Sequence, residues 1–157
     1  MANRSVNFQV VGFSQPNSEL CWWTSFKMLV LYHRSRGITS GRLRDVESHT
    51  EIMRKFSNNE PASTAEIEQF AIDLGFSTMR APIIGGLLNH MDQHGPQMYS
   101  GAWAAGGGHC VVFTGTDGSQ ISINDPWDGA MAREFIGYTT TYLIMDTALV
   151  YLNNGNR

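Results

Sequence analysis

The apolar residues change their period partway along the 157-residue chain, and that change limits the fold more than any other feature. In the first half they recur at helical spacing. Trp22, Phe26, Leu29, Val30 and His33 form one such stripe, ended by Gly37, with Asn17 or Ser18 as the N-cap. That capping places Cys21 in the first turn. A second helix is predicted over residues 42–56, with Leu43, Val46, Met53 and Phe56 on one side. A third carries a capping box, Ser63 with Glu66, ahead of Ile67, Phe70, Ala71 and Leu74, and stops at Gly75. A fourth, over residues 84–94, ends at Gly95. After that the pattern turns to strands: residues 96–102, 109–114, 119–125 and 148–152 are rich in Val, Ile, Tyr and Phe. Helices first and strands afterwards predict an α+β fold, with the helical half packed on a C-terminal antiparallel sheet. No repeat or long linker interrupts the chain, so residues 1–157 read as a single domain.

Composition narrows the function. Hydrophobic residues make up 42% of the chain and charged ones 16%, against an average of ~25% charged, so the chain is globular rather than disordered. The formal charge is −3 and no Lys/Arg run exceeds two residues, which leaves no footprint for nucleic acid. The longest apolar runs fall far short of the ~20 residues of a membrane helix. No signal-peptide core follows Met1, so the expectation is synthesis in the cytoplasm, with any export through a machine that reads no cleavable signal. Cys21 and Cys110 are the only cysteines, too few for a disulfide framework, and read as free thiols.

Three residues stand out for chemistry. Cys21 heads a helix, where the unpaired N–H groups and the dipole favour a thiolate. Taken alone it would read as a small buried apolar residue. His109 follows Ala104-Ala105-Gly106-Gly107-Gly108, a stretch that leaves room for a ligand, and Asp125 closes the next strand before Pro126. A three-residue loop, 116–118, pairs Phe113 with Ile121, Val111 with Ile123 and His109 with Asp125, all on one face. The two-residue alternative at Asp117-Gly118 mixes polar and apolar residues on each face, so burial favours the first register. Asp125 can then orient the His109 imidazole. A cysteine at a helix head with a histidine held by an aspartate is the constellation for thiol nucleophilic catalysis. The backbone N–H of Cys21 and the amide of Gln15, in the loop feeding the helix, are candidate donors to the acyl oxyanion.

Gln15-Pro16-Asn17-Ser18-Glu19-Leu20-Cys21-Trp22, then Gly108-His109, then Asn124-Asp125-Pro126-Trp127, resembles the pattern of papain-like cysteine peptidases. The resemblance implies Gln15 as the oxyanion glutamine, Cys21 as nucleophile, His109 as general base and Asp125 as the orienting residue. It also implies that Trp127 shields the His–Asp contact. The small size and the Asp-Pro pair are similar to double-glycine leader peptidases and bacterial papain-like effector peptidases. Such an enzyme acts on a protein or peptide substrate, needs no cofactor, and is expected to meet an inhibitor or immunity protein. The same triad would serve a glutamine deamidase or transglutaminase, and an idle triad would leave a binding module.

Other residues offer less. His90 and His94 lie four apart, but Met91 stands where a zinc peptidase has glutamate and no further ligand cluster follows, so no metal site is expected. Trp22, Trp23 and Trp103 read as core and cleft walls. The glycines before His109 precede a strand rather than a helix, so they do not form a phosphate loop. Cys110 alternates with His109 and reads as core on the opposite face.

Overall fold

The computed structural model describes residues 5–38, 43–80, 86–103, 108–129, 131–135 and 143–153. In chain order its elements are β1 (Val6–Asn7), α1 (Cys21–Ser35), a 3-10 turn (Val46–Ser48), α2 (Thr50–Ser57), α3 (Thr64–Leu74), β2 (Ser77–Met79), α4 (Leu87–His94), β3 (Gln97–Trp103), β4 (Gly108–Thr116), β5 (Gln120–Asn124), β6 (Met131–Phe135) and β7 (Leu143–Tyr151). All described strand pairs are antiparallel. They form a seven-stranded sheet in the order β2-β7-β3-β4-β5-β6, with β1 added against β4. The α+β architecture is the one the change of period predicts.

Both faces of the central strands are buried. Met98, Cys110, Val112 and Val150 pack with Trp22, Phe26, Leu29 and the apolar side of α3. Their neighbours along the same strands, Tyr99, Val111, Phe113 and Leu149, pack with Leu87 and Met91 of α4 and with Ile121 and Ile123. Successive strand residues point to opposite faces, so β4 supplies both cores at once. Each large side chain buried this way contributes ~1.5–3 kcal/mol before entropy is set against it.

Three expectations need correction. The N-cap of α1 is Leu20, which makes no side-chain cap, because Asn17 is used one turn earlier: its carbonyl accepts from Leu20 N–H at 3.3 Å and its side chain from Ser18 N–H at 2.9 Å. Cys21 therefore becomes the first helical residue. The helix predicted over 42–56 is broken; residues 39–42 lie outside the described residues. Asp45 and His49 both adopt extended backbone, and each side chain caps a new start, Asp45 on Val46 N–H and His49 Nδ1 on Ile52 N–H. The apolar period ran through a double cap. The fourth helix begins at Leu87 rather than 84, and residues 81–85 lie outside the described residues.

The β4–β5 register also differs, by two residues next to the site: Phe113 faces Ile123 and Val112 faces Asn124. Asp117 is the cause. Its Oδ1 accepts from Ser119 N–H, Ser119 Oγ and Gln120 N–H at 2.8–2.9 Å, and Gly118 takes φ +93°. This side-chain turn lengthens the loop to residues 117–120, and a bulge between Phe113 and Gly115 absorbs the odd residue. A shift of two keeps every side chain on its face, so Val111, Phe113, Ile121 and Ile123 remain together as predicted. Burial could not choose the register, since both faces are covered and the one buried misfit, Asn124, is satisfied by the Val10 carbonyl at 2.9 Å.

The segment after β5 is locked against the one before α1. Gln15 N–H donates to the Pro126 carbonyl at 2.6 Å. Gly129 sits at φ +72°, and a Cβ there would lie 2.9 Å from Ser14 N and 3.0 Å from Phe13 C. Gly129→Ala should therefore cost ~1–3 kcal/mol in urea unfolding. It should also reduce Cys21 reactivity by moving the Asp125 segment away from residues 13–15; an unchanged midpoint with unchanged reactivity would contradict the lock.

Candidate active site

A cleft of about 610 Å³ runs across the head of α1, lined on one side by Ser100, Gly101 and Ala102 of β3 and on the other by residues 61–64. Cys21 lies at its floor, with His109, Asp125, Trp22 and Trp127 also lining it. The structure brings Cys21, His109 and Asp125 to one cleft, by a register other than the expected one. His109 Nε2 and Asp125 Oδ1 are 2.7 Å apart. With β5 shifted by two, the contact is diagonal rather than directly across the pair, a span a long imidazole can bridge. Asp125 Oδ1 also accepts from Trp127 N–H at 3.0 Å, which fixes the carboxylate from its far side.

Nε2 is committed to Asp125, and the ring and the Cys21 thiol also act on each other, by hydrogen bonding and by charge. The Cys21 thiol is lowered to about 5. The largest cause is a hydrogen bond from the Cys110 side chain; burial opposes it, and the hydrogen bond and charge of His109 reinforce it, with a smaller share from Cys110 N–H. His109 is raised to about 9: burial acts against the charged ring, and the hydrogen bonds to Asp125 and Cys21 outweigh it. Burial would raise the Asp125 carboxyl, yet the His109 and Trp127 N–H donors hold it below the usual carboxylate range. Between about pH 5 and about pH 9 the pair is therefore a thiolate beside an imidazolium. Such a site is nucleophilic without needing a base to generate the anion in each turnover.

Cys110 is buried on the helix-facing side of the sheet, as expected, but that burial does not separate it from the site. Cys21 packs against the same cluster, so two successive residues of β4, His109 and Cys110, both meet its sulfur. Only the pairing of α1 with β4 could reveal this, and strand alternation alone concealed it.

Gln15 lines the cleft, yet its Nε2 donates to the carbonyls of Asn17 and Ser18, both at 2.9 Å, while its buried Oε1 has no hydrogen-bond partner. In this state it braces the turn that delivers Cys21. Trp127 is 70% exposed, and it reaches Asp125 through its backbone. Trp22 is buried against Phe70, and its indole N–H donates to the Glu60 carbonyl at 3.0 Å.

The second wall depends on residues that pattern reading passed over. Asn59 takes φ +51°; its Oδ1 accepts from Glu19 N–H at 3.0 Å and its Nδ2 donates to Ser18 Oγ at 3.2 Å. Lys55, nearly buried, donates to the Pro61 carbonyl and pairs with Glu66 at 2.8 Å. The usable signal was Asn58-Asn59 between a helix end and Pro61, since asparagine tolerates left-handed backbone. Among the described residues no group of three or more His, Cys, Asp or Glu could hold a metal; His90 and His94 instead make tilted and edge-on ring contacts with each other and with Tyr151.

A helix-headed cysteine against a histidine from a neighbouring antiparallel sheet defines the papain-like cysteine peptidases, and this chain is one. It belongs to the family described as papain-like cysteine protease AvrRpt2, whose model matches residues 2–142. Two solved structures share the fold. A C39-like peptidase from Bacillus anthracis is 15% identical with a TM-score of 0.63, over 96% of this chain and 98% of that one. A double glycine motif protease from an AMS/PCAT transporter, solved in complex with a leader peptide, is 14% identical with a TM-score of 0.54, over 94% and 95%. No curated protein matches the chain.

Alkylation of Cys21 by iodoacetamide should rise with pH through a midpoint near 5, set by its hydrogen-bonded neighbours. His109→Ala should move that midpoint up towards the ~8.5 of an ordinary thiol. Equal midpoints near ~8.5 in both proteins would mean that no ion pair exists.

Proposed function

We propose that Cys21, His109 and Asp125 form the catalytic triad of a peptidase that cleaves peptide amide bonds through a thioester. The observation that carries this reading is the position of His109, 2.7 Å from Asp125 through Nε2 and near enough to Cys21 that each shifts the other's proton affinity. The Cys21 thiolate attacks the amide carbon, and the oxyanion faces the Cys21 N–H at the head of α1. One N–H of Gln15, released from a loop carbonyl, joins it as the second donor. His109 Nδ1–H protonates the leaving amine. The neutral ring then takes a proton from water, which attacks the thioester and frees Cys21. Asp125 holds the ring so that Nδ1 stays aimed at the sulfur, and it stabilises the imidazolium. Trp22 and Trp127 contribute cleft walls.

The cleft is open and flanked by the small residues Gly101, Ala102 and Gly108, which suits an extended chain rather than a compact metabolite. The leader peptide held by the similar double glycine motif protease supports a peptide substrate here too. An enzyme of this kind needs restraint where it is made. We assign that restraint to a cognate inhibitor or immunity protein, or to export into a cell that holds the target.

Incubation with a peptide library should generate new N-termini, and a gain of about one mass unit on glutamine would instead indicate deamidation. Cys21→Ala should abolish turnover, and His109→Ala should lower kcat/KM by ~10²–10⁴. Asp125→Ala should slow turnover with the fold retained. The pH profile should be a bell with limbs near 5, below which the thiolate is lost, and near 9, above which the acid is lost. Absence of turnover with every peptide, alongside an ordinary thiol, would leave a binding module. Expression in bacteria should slow growth only when Cys21 is present; equal growth with Cys21→Ala would argue against an effector that acts on bacterial cells.

A further inference from the structure

Cys110 has no part in that mechanism, yet it is placed where a second thiol changes the chemistry of the first. It is 3% exposed, in the cluster against which Cys21 packs, and both cysteines are free. Both line the cleft, and the largest influence on each thiol is the other. Ser100 lies directly across β3–β4 from Cys110 and lines the same cleft. The two thiols differ sharply. Cys21 is partly exposed and a thiolate at neutral pH, so it is the sulfur that meets a dissolved oxidant first. Cys110 is sealed from solvent and held protonated, by its contact with Cys21 and by burial. That is the arrangement of an attacked thiol backed by a resolving thiol.

We propose that Cys21 and Cys110 form a reversible disulfide on exposure to hydrogen peroxide, which makes the cleft floor a redox modification site. In the first step the Cys21 thiolate bonds to one peroxide oxygen, the O–O bond breaks, and hydroxide leaves to become water. This gives a sulfenic acid on Cys21. In the second step Cys110 gives up its proton and attacks the Cys21 sulfur; the S–S bond forms, the S–O bond breaks, and the departing hydroxide takes that proton as water. Both sulfurs are oxidised, one peroxide is reduced to two waters, and the protein loses two hydrogens. A dithiol reverses the change. The sulfurs must close to ~2.05 Å, and both side chains start from the same cleft and the same packed cluster. Oxidation then stops at a recoverable state, because the disulfide forms in place of sulfinic acid. Loss of peptidase activity rests on the triad reading above; formation of the bond does not.

The test is intact mass and peptide mapping of the full chain after graded peroxide. The expected result is a loss of about two mass units, a Cys21–Cys110 cross-linked peptide, and full reversal by dithiothreitol. In Cys110→Ala, and in Cys110→Ser as a second variant of different polarity, the same treatment should add about 32 mass units at Cys21, resistant to dithiothreitol. Sulfinic acid at Cys21 in the wild type without a cross-link, or disulfide-linked dimers in its place, would overturn the proposal. If the cross-link forms and reverses but no peptide is ever cleaved, the redox site stands and the triad reading falls. If peptides are cleaved and no cross-link appears, the reverse holds.

Discussion

The head of α1 must arrive within hydrogen-bond reach of the first residues of β4, and the rest of the site follows from that approach. A thiolate and an imidazolium placed together there lose much of their hydration, a cost their mutual attraction recovers only with further hydrogen bonds. The structure supplies those bonds. Cys110 donates to the sulfur through its side chain and backbone N–H, and Asp125 accepts from the ring. The helix dipole points its positive end the same way. The charges persist because each has a partner on a different element, so none can be removed without exposing another.

The cleft's opposite wall is fastened by a different set of forces. Asn59, Lys55 and Trp22 join residues 59–61 to the turn before α1, to the start of α3 and to α1 itself. These are mostly hydrogen bonds to backbone, which fix the path of the chain and leave side chains such as Thr64 to face the cleft. The sheet wall is set by ladder bonds. The cleft therefore lies between one wall held by strand pairing and another held by capping.

Much of this was legible in the amino-acid sequence, and the failures share a cause. The capping box of Ser63 and Glu66 forms with both hydrogen bonds, because it needs only residues three apart. The shared face of His109 and Asp125 also followed from alternation, which survives any even slip. The register did not, since Asp117 spends its carboxylate on three donors and lengthens the loop. Asp45 and His49 broke a periodic stretch in the same manner, with side chains taking up backbone N–H groups. Cys110 was read as core and is core; its meeting with Cys21 depends on which helix covers that face, and no single-chain pattern encodes that.

The sheet order carries a consequence for the life of the molecule. β7, the last described strand in the chain, lies between β2 and β3 rather than at an edge. The Asp125 segment is in turn tied to residues 10–15 by bonds that span more than a hundred positions, such as Asn124 to Val10. Contacts this distant along the chain form late, after closure of the loops between them. A growing polypeptide on the ribosome thus carries Cys21 long before His109 and Asp125 can be held beside it.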